Sequence, residues 1–402
     1  MVVAAINAVS FGSTGRIMLD IARLAENNGY VVHTFSKKLP GFPDVEYHRH
    51  HFFCSYFETR VHCKLATHTG LHGWFSFVPT IRLLRMLDRI KPDIIHLHNL
   101  HGWFVNLPLL FGYIKREKIR VIWTLHDCWS FTGHCPHFVL ENCQKWKTGC
   151  FNCPKYTEYP ASKVEQSRLM WKLKKKWFTG VENMILVTPS KWLAGLVKQS
   201  FLKDYPVKVI NNGIDLNIFK PTESSFRQDH GIAADEYMLL GVAFGWGVQK
   251  GLDVFIDLAG RLPEKYKIVL VGTDEAVDKS LPKNIISIRR TNSQRELAEI
   301  YSAADLFVNP TKEDTFPTVN IEALSCGTPV VTFNTGGSPE IIDESCGAVV
   351  PCDDVEALVE NIKFIFNTGC FSPSACVNRA GSFRAGSKFN EYLDLYASVL
   401  DT

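Results

Sequence analysis

The chain is poor in the features that most quickly narrow a function. Its 402 residues include 44 Lys or Arg and 41 Asp or Glu, a net charge of +3 at neutral pH. So near a balance gives no overall field of the kind that draws a protein onto nucleic acid, and no nucleic-acid partner is expected. No segment reads as a bilayer span. Ile94 to Ile114 is free of Lys, Arg, Asp and Glu but carries His96, His98, Asn99, His101, Asn106 and Pro108, all costly in hydrocarbon. Met1 to Phe11 is apolar without a basic leader or a cleavage site and runs into a glycine turn. It reads as a first core strand, in a protein expected in the cytosol. Twelve cysteines are few for this length. Without an export signal, most are expected to be reduced and buried. No Asp-x-Asp pair occurs, so the usual carboxylate clamp that holds a diphosphate through a divalent ion is missing. The first glycine turn is not G-x-G-x-x-G and has no matching ribose acid, which argues against a dinucleotide-dependent dehydrogenase.

What is present is an alternation. With 46% hydrophobic residues the chain can bury two cores of ordinary size. Short β-branched runs alternate with amphipathic helices, the pattern of a parallel sheet covered on both faces. The expected strands are Val2 to Val9, Val31 to Phe35, Ile94 to His98, Val121 to Leu125 and Met184 to Val187. After Val207 to Ile210 the turn Asn211-Asn-Gly213 marks a boundary. Strands resume at Met238 to Ala243, Ile268 to Val271, Ile285 to Ile288, Leu306 to Asn309, Val330 to Phe333 and Ala348 to Val350. Leu252, Phe255, Ile256 and Ala259 recur at helical spacing after Gly251. Ser293 with Glu296 forms a capping box, and Ser338-Pro339 and Gly327 supply a helix start and a helix stop.

The densest stretch is Asp314-Thr-Phe-Pro-Thr-Val-Asn-Ile-Glu322, followed by Ala-Leu-Ser-Cys-Gly327-Thr-Pro. It sets two carboxylates around a turn that opens a helix. In a doubly wound fold, free helix N–H groups at such a turn can hold a diphosphate while carboxylates grip sugar hydroxyls. The run resembles the E-x7-E signature of the family 4 glycosyltransferases, retaining enzymes of GT-B fold. Gly12-Ser-Thr-Gly-Arg16, Pro92-Asp-Ile-Ile-His-Leu-His-Asn99, Thr124-Leu-His-Asp127, Thr188-Pro-Ser-Lys191, Val209-Ile-Asn-Asn-Gly-Ile-Asp215 and Lys250-Gly251 follow the same family in order and spacing. Within it, the bacterial surface-polysaccharide branch, of colanic-acid type, is most similar. Two departures stand out. Asp314 with Glu313 beside it replaces the first Glu, which leaves open which of the two meets the sugar. Gly245 stands where the family usually has an Arg five residues before the phosphate-binding Lys.

The resemblance implies two Rossmann-like domains facing across a cleft: residues 1–207 for the acceptor, 208–387 for the donor, and a last helix, about 388–402, packed back on the first. It implies a hexosyltransferase-type enzyme that transfers a sugar from a UDP- or GDP-sugar to a glycan or lipid-linked glycan, without a cofactor in catalysis. Glu322 would then take the ribose hydroxyls, Asp314 or Glu313 the transferred sugar, and His126 a hydroxyl of that sugar. Thr318, Val319, Gly336 and Gly337 would belong to the donor site, with Gly12, Gly15 and Arg16 contributed by the first domain. From the residues alone, His96, His98 and His101 cluster at a strand end beside a glycine turn, where His98 and His101, with Asp127, serve the acceptor or else the histidines hydrogen-bond a loop. From the residues alone, Lys250 at the mouth of a helix is unfavourable unless an anion stands there, which suits a diphosphate clamp.

Two features lie outside that scheme. Cys135-x7-Cys143-x6-Cys150-x2-Cys153 fits a tetrahedral structural zinc fixing a long loop, or else buried thiols. Arg168 to Phe178 is a cationic, aromatic helix suited to an anionic membrane surface, or else a solvated helix with a buried stripe. Competing readings are a sugar-nucleotide epimerase on the same scaffold and a non-catalytic, zinc-stabilised binding protein.

Overall fold

A computed structural model describes residues 1–42 and 45–400. The chain divides into two compact units, Met1–Asn211 together with the helix from Phe389 onward, and Asn212–Lys388. The first holds seven strands: β1 (Val2–Ile6), β2 (Val31–Lys37), β3 (His50–Cys54), β4 (Ile94–Leu97), β5 (Arg120–Thr124), β6 (Met184–Thr188) and β7 (Val207–Val209). They lie in the order β3-β2-β1-β4-β5-β6-β7, all parallel. The second holds β8 (Tyr237–Val242), β9 (Tyr266–Val271), β10 (Ile285–Ile288), β11 (Leu306–Asn309), β12 (Val330–Phe333) and β13 (Gly347–Val350), in the order β10-β9-β8-β11-β12-β13. These are two Rossmann-like sheets, the GT-B class of fold.

Both faces of each sheet are buried, which is why the strands read as unbroken apolar runs. In the second unit Met238, Leu240 and Phe307 enter one core, while their neighbours Leu239, Leu306 and Val308 enter the core on the opposite face. The helix Leu252–Arg261 forms as its spacing predicts, although Val254, Phe255 and Leu258, rather than Leu252, Ile256 and Ala259, are its fully buried residues. Only half of the expected capping box is present. Ser293 accepts the Glu296 amide at 3.1 Å, but the Glu296 carboxylate turns to the Asn292 amide at 2.6 Å.

Three sequence expectations change. β1 stops at Ile6, because Asn7 turns the chain: its amide donates to the Val9 carbonyl at 2.8 Å, and its Oδ1 accepts the Asn99 N–H at 3.1 Å. β3 has no counterpart in the sequence reading, since His50-His51 looks polar. In the sheet, His50 meets Thr34 at 2.8 Å and Ser36 at 3.0 Å, and His51 meets His33 at 2.9 Å, so cross-strand bonds satisfy the rings. Finally, β7 is the edge strand of the first sheet, so the chain leaves that unit after Asn211 and not after Val207. The last helix, Ala385–Leu400, sends Tyr396 to His96 at 2.7 Å and Tyr392 to Thr124 at 3.2 Å, bonding to β4 and β5.

Candidate functional site

The order of each sheet creates one switch point, between β1 and β4 in the first and between β8 and β11 in the second, and α/β folds of this type bind ligands beyond the carboxyl ends of the strands there. In the second unit the turns after β8, β11 and β12 converge at that place. Gly251, at φ +75°, lies so close to Pro310 that a Cβ would stand 2.4 Å from its carbonyl oxygen. The Gln249 carbonyl accepts the Lys312 amide at 2.8 Å and the Thr311 hydroxyl at 3.2 Å. The Thr335 hydroxyl donates to the Lys312 carbonyl at 2.9 Å. Gly336, at φ +55°, sits where a Cβ would fall 1.6 Å from the Asp314 carbonyl oxygen. Only glycine allows that contact.

On this frame Lys250 and Asp314 form an ion pair of 2.7 Å. The anion expected at Lys250 is therefore, without ligand, the side chain assigned to the sugar. Glu313, the alternative, is buried, at 5% exposure. The helix Thr318–Ser325 starts after Pro317 with no side-chain cap and no acid in its first turn, leaving its N–H end available to an anion. Glu322 lies one turn inside this helix, on the Thr318 face, rather than at its start. Its Oε2 accepts the Tyr301 hydroxyl at 3.1 Å, and burial together with that carboxylate drives the Tyr301 pKa far above its ordinary range. Tyr301 is a positioning contact that the sequence reading missed. Lys312 is paired with Asp253 at 2.8 Å and Asp353 at 2.6 Å, so its charge is already neutralised. Ser338 is no N-cap. It sits inside a 3-10 turn, Ser338–Glu340, with its hydroxyl buried and unpaired beside Gly337.

In the first unit the turn after β1 opens the helix Gly12–Asn27. Gly15 is packed against Ser10, where a Cβ would lie 2.5 Å from the carbonyl carbon, so turn packing accounts for it; Gly12, at φ +67°, and Arg16 face outward. After β4 and β5 the histidines separate by role. His96 is fully bonded, to Tyr396 and to Thr124 at 2.9 Å, and belongs to the core. His98 meets His126 at 3.1 Å and keeps a buried Nε2 without a partner. His101 bridges Asp127 at 2.8 Å and the Tyr159 hydroxyl at 2.9 Å. Burial alone would raise the Asp127 pKa, but His101, together with His137 and the Trp129 N–H, outweighs it and holds the carboxyl at about 2; burial lowers His126 to about 4. Trp103, at φ +63°, packs edge-on to Tyr159. Neither Tyr159 nor Trp103 had a signal in the sequence.

Residues 14–218 match the glycosyltransferase family 4 profile, and residues 238–368 match that of the glycosyl transferases group 1. The chain belongs to glycosyltransferase family 4. Over 301 residues it is 28% identical to WcaC of Escherichia coli K12, named for colanic acid biosynthesis glycosyl transfer, covering 70% of each chain. A sucrose-phosphate synthase structure from Thermosynechococcus elongatus superposes with a TM-score of 0.71 at 18% identity, covering 100% of this chain and 99% of that one. Anabaena HepE, solved with UDP-glucose, gives 0.68 at 15%, covering 99% and 100%.

Two features of this family 4 glycosyltransferase stand apart from its donor and acceptor residues. Cys135, Cys143, Cys150 and Cys153, with His134, do line one cavity, of about 20 Å³. All are free thiols, and hydrogen bonding to Cys153 and burial raise the pKa of Cys135. Yet among the described residues no three His, Cys, Asp or Glu side chains are arranged to hold a metal ion. Protein contacts also hold the loop. Trp146 and Phe138 are buried in the core, and the Lys174 Nζ, fully buried, donates to the carbonyls of Trp129 at 2.7 Å and Thr132 at 3.1 Å. The basic helix Ser167–Phe178 buries Met170, Trp171, Trp177 and Phe178, so its apolar stripe is core and not a free membrane face. No helix among the described residues is long and apolar enough to cross a membrane.

Proposed function

We propose that this glycosyltransferase moves a hexose, with retention, from a nucleoside-diphosphate sugar to a hydroxyl of a polyprenyl-linked glycan in bacterial surface-polysaccharide synthesis. The observation that carries the donor half is the Lys250–Asp314 pair beside the uncapped start of helix Thr318–Ser325. A diphosphate takes the N–H groups of Thr318 and Val319 together with the Lys250 ammonium. Asp314 is then released to accept sugar hydroxyls, and Glu322 accepts those of the ribose. HepE, solved in complex with UDP-glucose, supports a nucleotide-sugar donor, and the similarity to WcaC supports a polysaccharide product.

Charge on the leaving diphosphate is balanced by Lys250 and helix N–H groups, a fixed electrostatic stabilisation worth several kcal/mol in the transition state. With the leaving phosphate as base toward the acceptor on the same sugar face, the mechanism needs no protein nucleophile and, since no Asp-x-Asp is present, no divalent ion. His98, His101, Asp127 and Tyr159 orient the acceptor, and His126 meets the donor sugar.

The test is a thermal-shift screen of UDP- and GDP-sugars, because a ligand of the native state raises its midpoint by mass action. Transfer from the hit to a polyprenyl-linked acceptor is then followed with and without EDTA. Recovery of an isomerised donor alone would replace the reading with an epimerase. Activity lost in EDTA and restored by magnesium would refute metal independence.

A further inference from the structure

The loop between Asp127 and Tyr159 carries four thiols that sugar transfer does not use. Cys135, Cys143, Cys150 and Cys153 are spread along it, yet they line one cavity of about 20 Å³. That is room for a single water-sized body and too little for a multi-iron cluster. The backbone is shaped to bring the thiols there. Asn142, Gly149 and Asn152, each the residue just before a cysteine, have φ of +45°, +150° and +45°. For the two asparagines this is a sparsely populated conformation, which persists only where the surroundings over-determine it. A Cβ on Gly133 would stand 2.7 Å from the Cβ of Cys150, so a glycine is needed for this backbone to close on that side chain. The Gly133 N–H then donates to the Cys150 Sγ at 3.1 Å.

The rest of the lining leaves ligation to sulfur and suits a negative charge. Phe138, Trp146 and Phe151 are apolar walls, the Thr132 hydroxyl is turned to the Cys135 carbonyl at 2.6 Å, and the His134 ring packs edge-on to His72. Lys145 donates to the carbonyls of Phe151 and Asn152, each at 3.1 Å, and the buried Lys174 to those of Trp129 and Thr132. Neither lysine has a carboxylate in contact among the described residues. Four thiolates around a divalent ion carry a net charge of −2, and two lysines beside them offset it.

We propose that Cys135, Cys143, Cys150 and Cys153 form a structural zinc site, closed by four thiolates and so without a position for substrate. As they stand, Cys135 is hydrogen-bonded to Cys153 and no three of the side chains converge on a point. Zinc displaces the four thiol protons to solvent and draws the sulfurs together, its bonds to sulfur replacing that hydrogen bond, so the site is completed by the metal itself. It ties the segment after Asp127 to the segment before Tyr159, the two residues that hold His101. Transfer itself stays free of metal chemistry, so either reading can fail without the other.

The full chain, purified without a tag under reducing conditions, is analysed for metals and for reactive thiols. About one zinc per chain is expected, with sulfur scatterers at about 2.3 Å by X-ray absorption. Chelation should strip it and expose about four further thiols to Ellman's reagent. Cobalt in its place should show the thiolate-to-metal charge-transfer bands of a tetrahedral sulfur site. Cys150→Ser with Cys153→Ser should hold less than about a tenth of an equivalent and lower the melting midpoint of the first unit while that of the second stays. Should that variant not fold, the wild-type measurements decide alone. Wild-type protein that takes up less than about a tenth of an equivalent when incubated with zinc would overturn the proposal. So would zinc stripped with no gain in reactive thiols, iron in place of zinc, or a disulfide between Cys135 and Cys153 under the same reducing conditions.

Discussion

Mild acid should unfold the first unit and spare the second. Burial lowers nine histidines of the first unit, seven of them far: to about 4 for His50, His126 and His134, to about 3 for His62, His72 and His96, and well below the usual range for His98. A group whose pKa is depressed in the native state and that must stay neutral there contributes stability that is complete above its unfolded pKa, near 6.5. That stability is lost as pH falls, because the unfolded chain takes protons the native one refuses. At pH 5.5 nearly all seven would be protonated only when unfolded. An uptake of about six protons gives a slope of about 8 kcal/mol per pH unit. A domain has about 5–15 kcal/mol in total, so even a third of this slope would be plain within two pH units. Thirteen of the fourteen histidines precede Asn211, and the second unit has only His230. Scanning calorimetry from pH 7.5 to 5.5 should therefore show one transition falling by tens of degrees, at about 2–4 °C per kcal/mol, and one nearly fixed. Two transitions that move together, or a first transition constant to within a few degrees, would refute the reasoning.

Glu322→Ala and Lys250→Ala should each lower turnover by at least about two orders of magnitude at saturating donor with melting unchanged, while Asp314→Asn should weaken sugar recognition more than nucleotide binding; wild-type turnover in either alanine variant would remove the site assignment. Gly336→Ala drives a methyl into the Asp314 carbonyl, and isothermal titration should find donor affinity down about tenfold or more, with a fall of a few degrees in the second unit's midpoint. Lys174→Met keeps the volume but strands the Trp129 and Thr132 carbonyls, at about 3 kcal/mol, so the first unit should melt roughly 10 °C lower.

Local pattern determined a great deal. The strand runs, the restart after Asn211-Asn-Gly213, and the turn from Asp314 to Glu322 were legible because parallel strands buried on both faces must be apolar throughout, and because helix-opening turns have their own chemistry. The sequence also determined that Lys250 needs an anion, from the position of its charge at the mouth of a helix. Tertiary structure decided which anion, since Asp314 lies 64 residues away and meets Lys250 only where the turns after β8 and β11 close on each other. It also decided that Lys312 is already neutralised, that Tyr301 holds Glu322, and that His96 is core while His101 bridges Asp127 and Tyr159. β3 escaped the sequence because its polarity is cancelled by partners on another strand. The basic helix stayed open between two readings for the related reason that a hydrophobic stripe is written identically whether it faces a core or a membrane. Composition sets what must be buried, and only the folded neighbours determine what has been left uncovered.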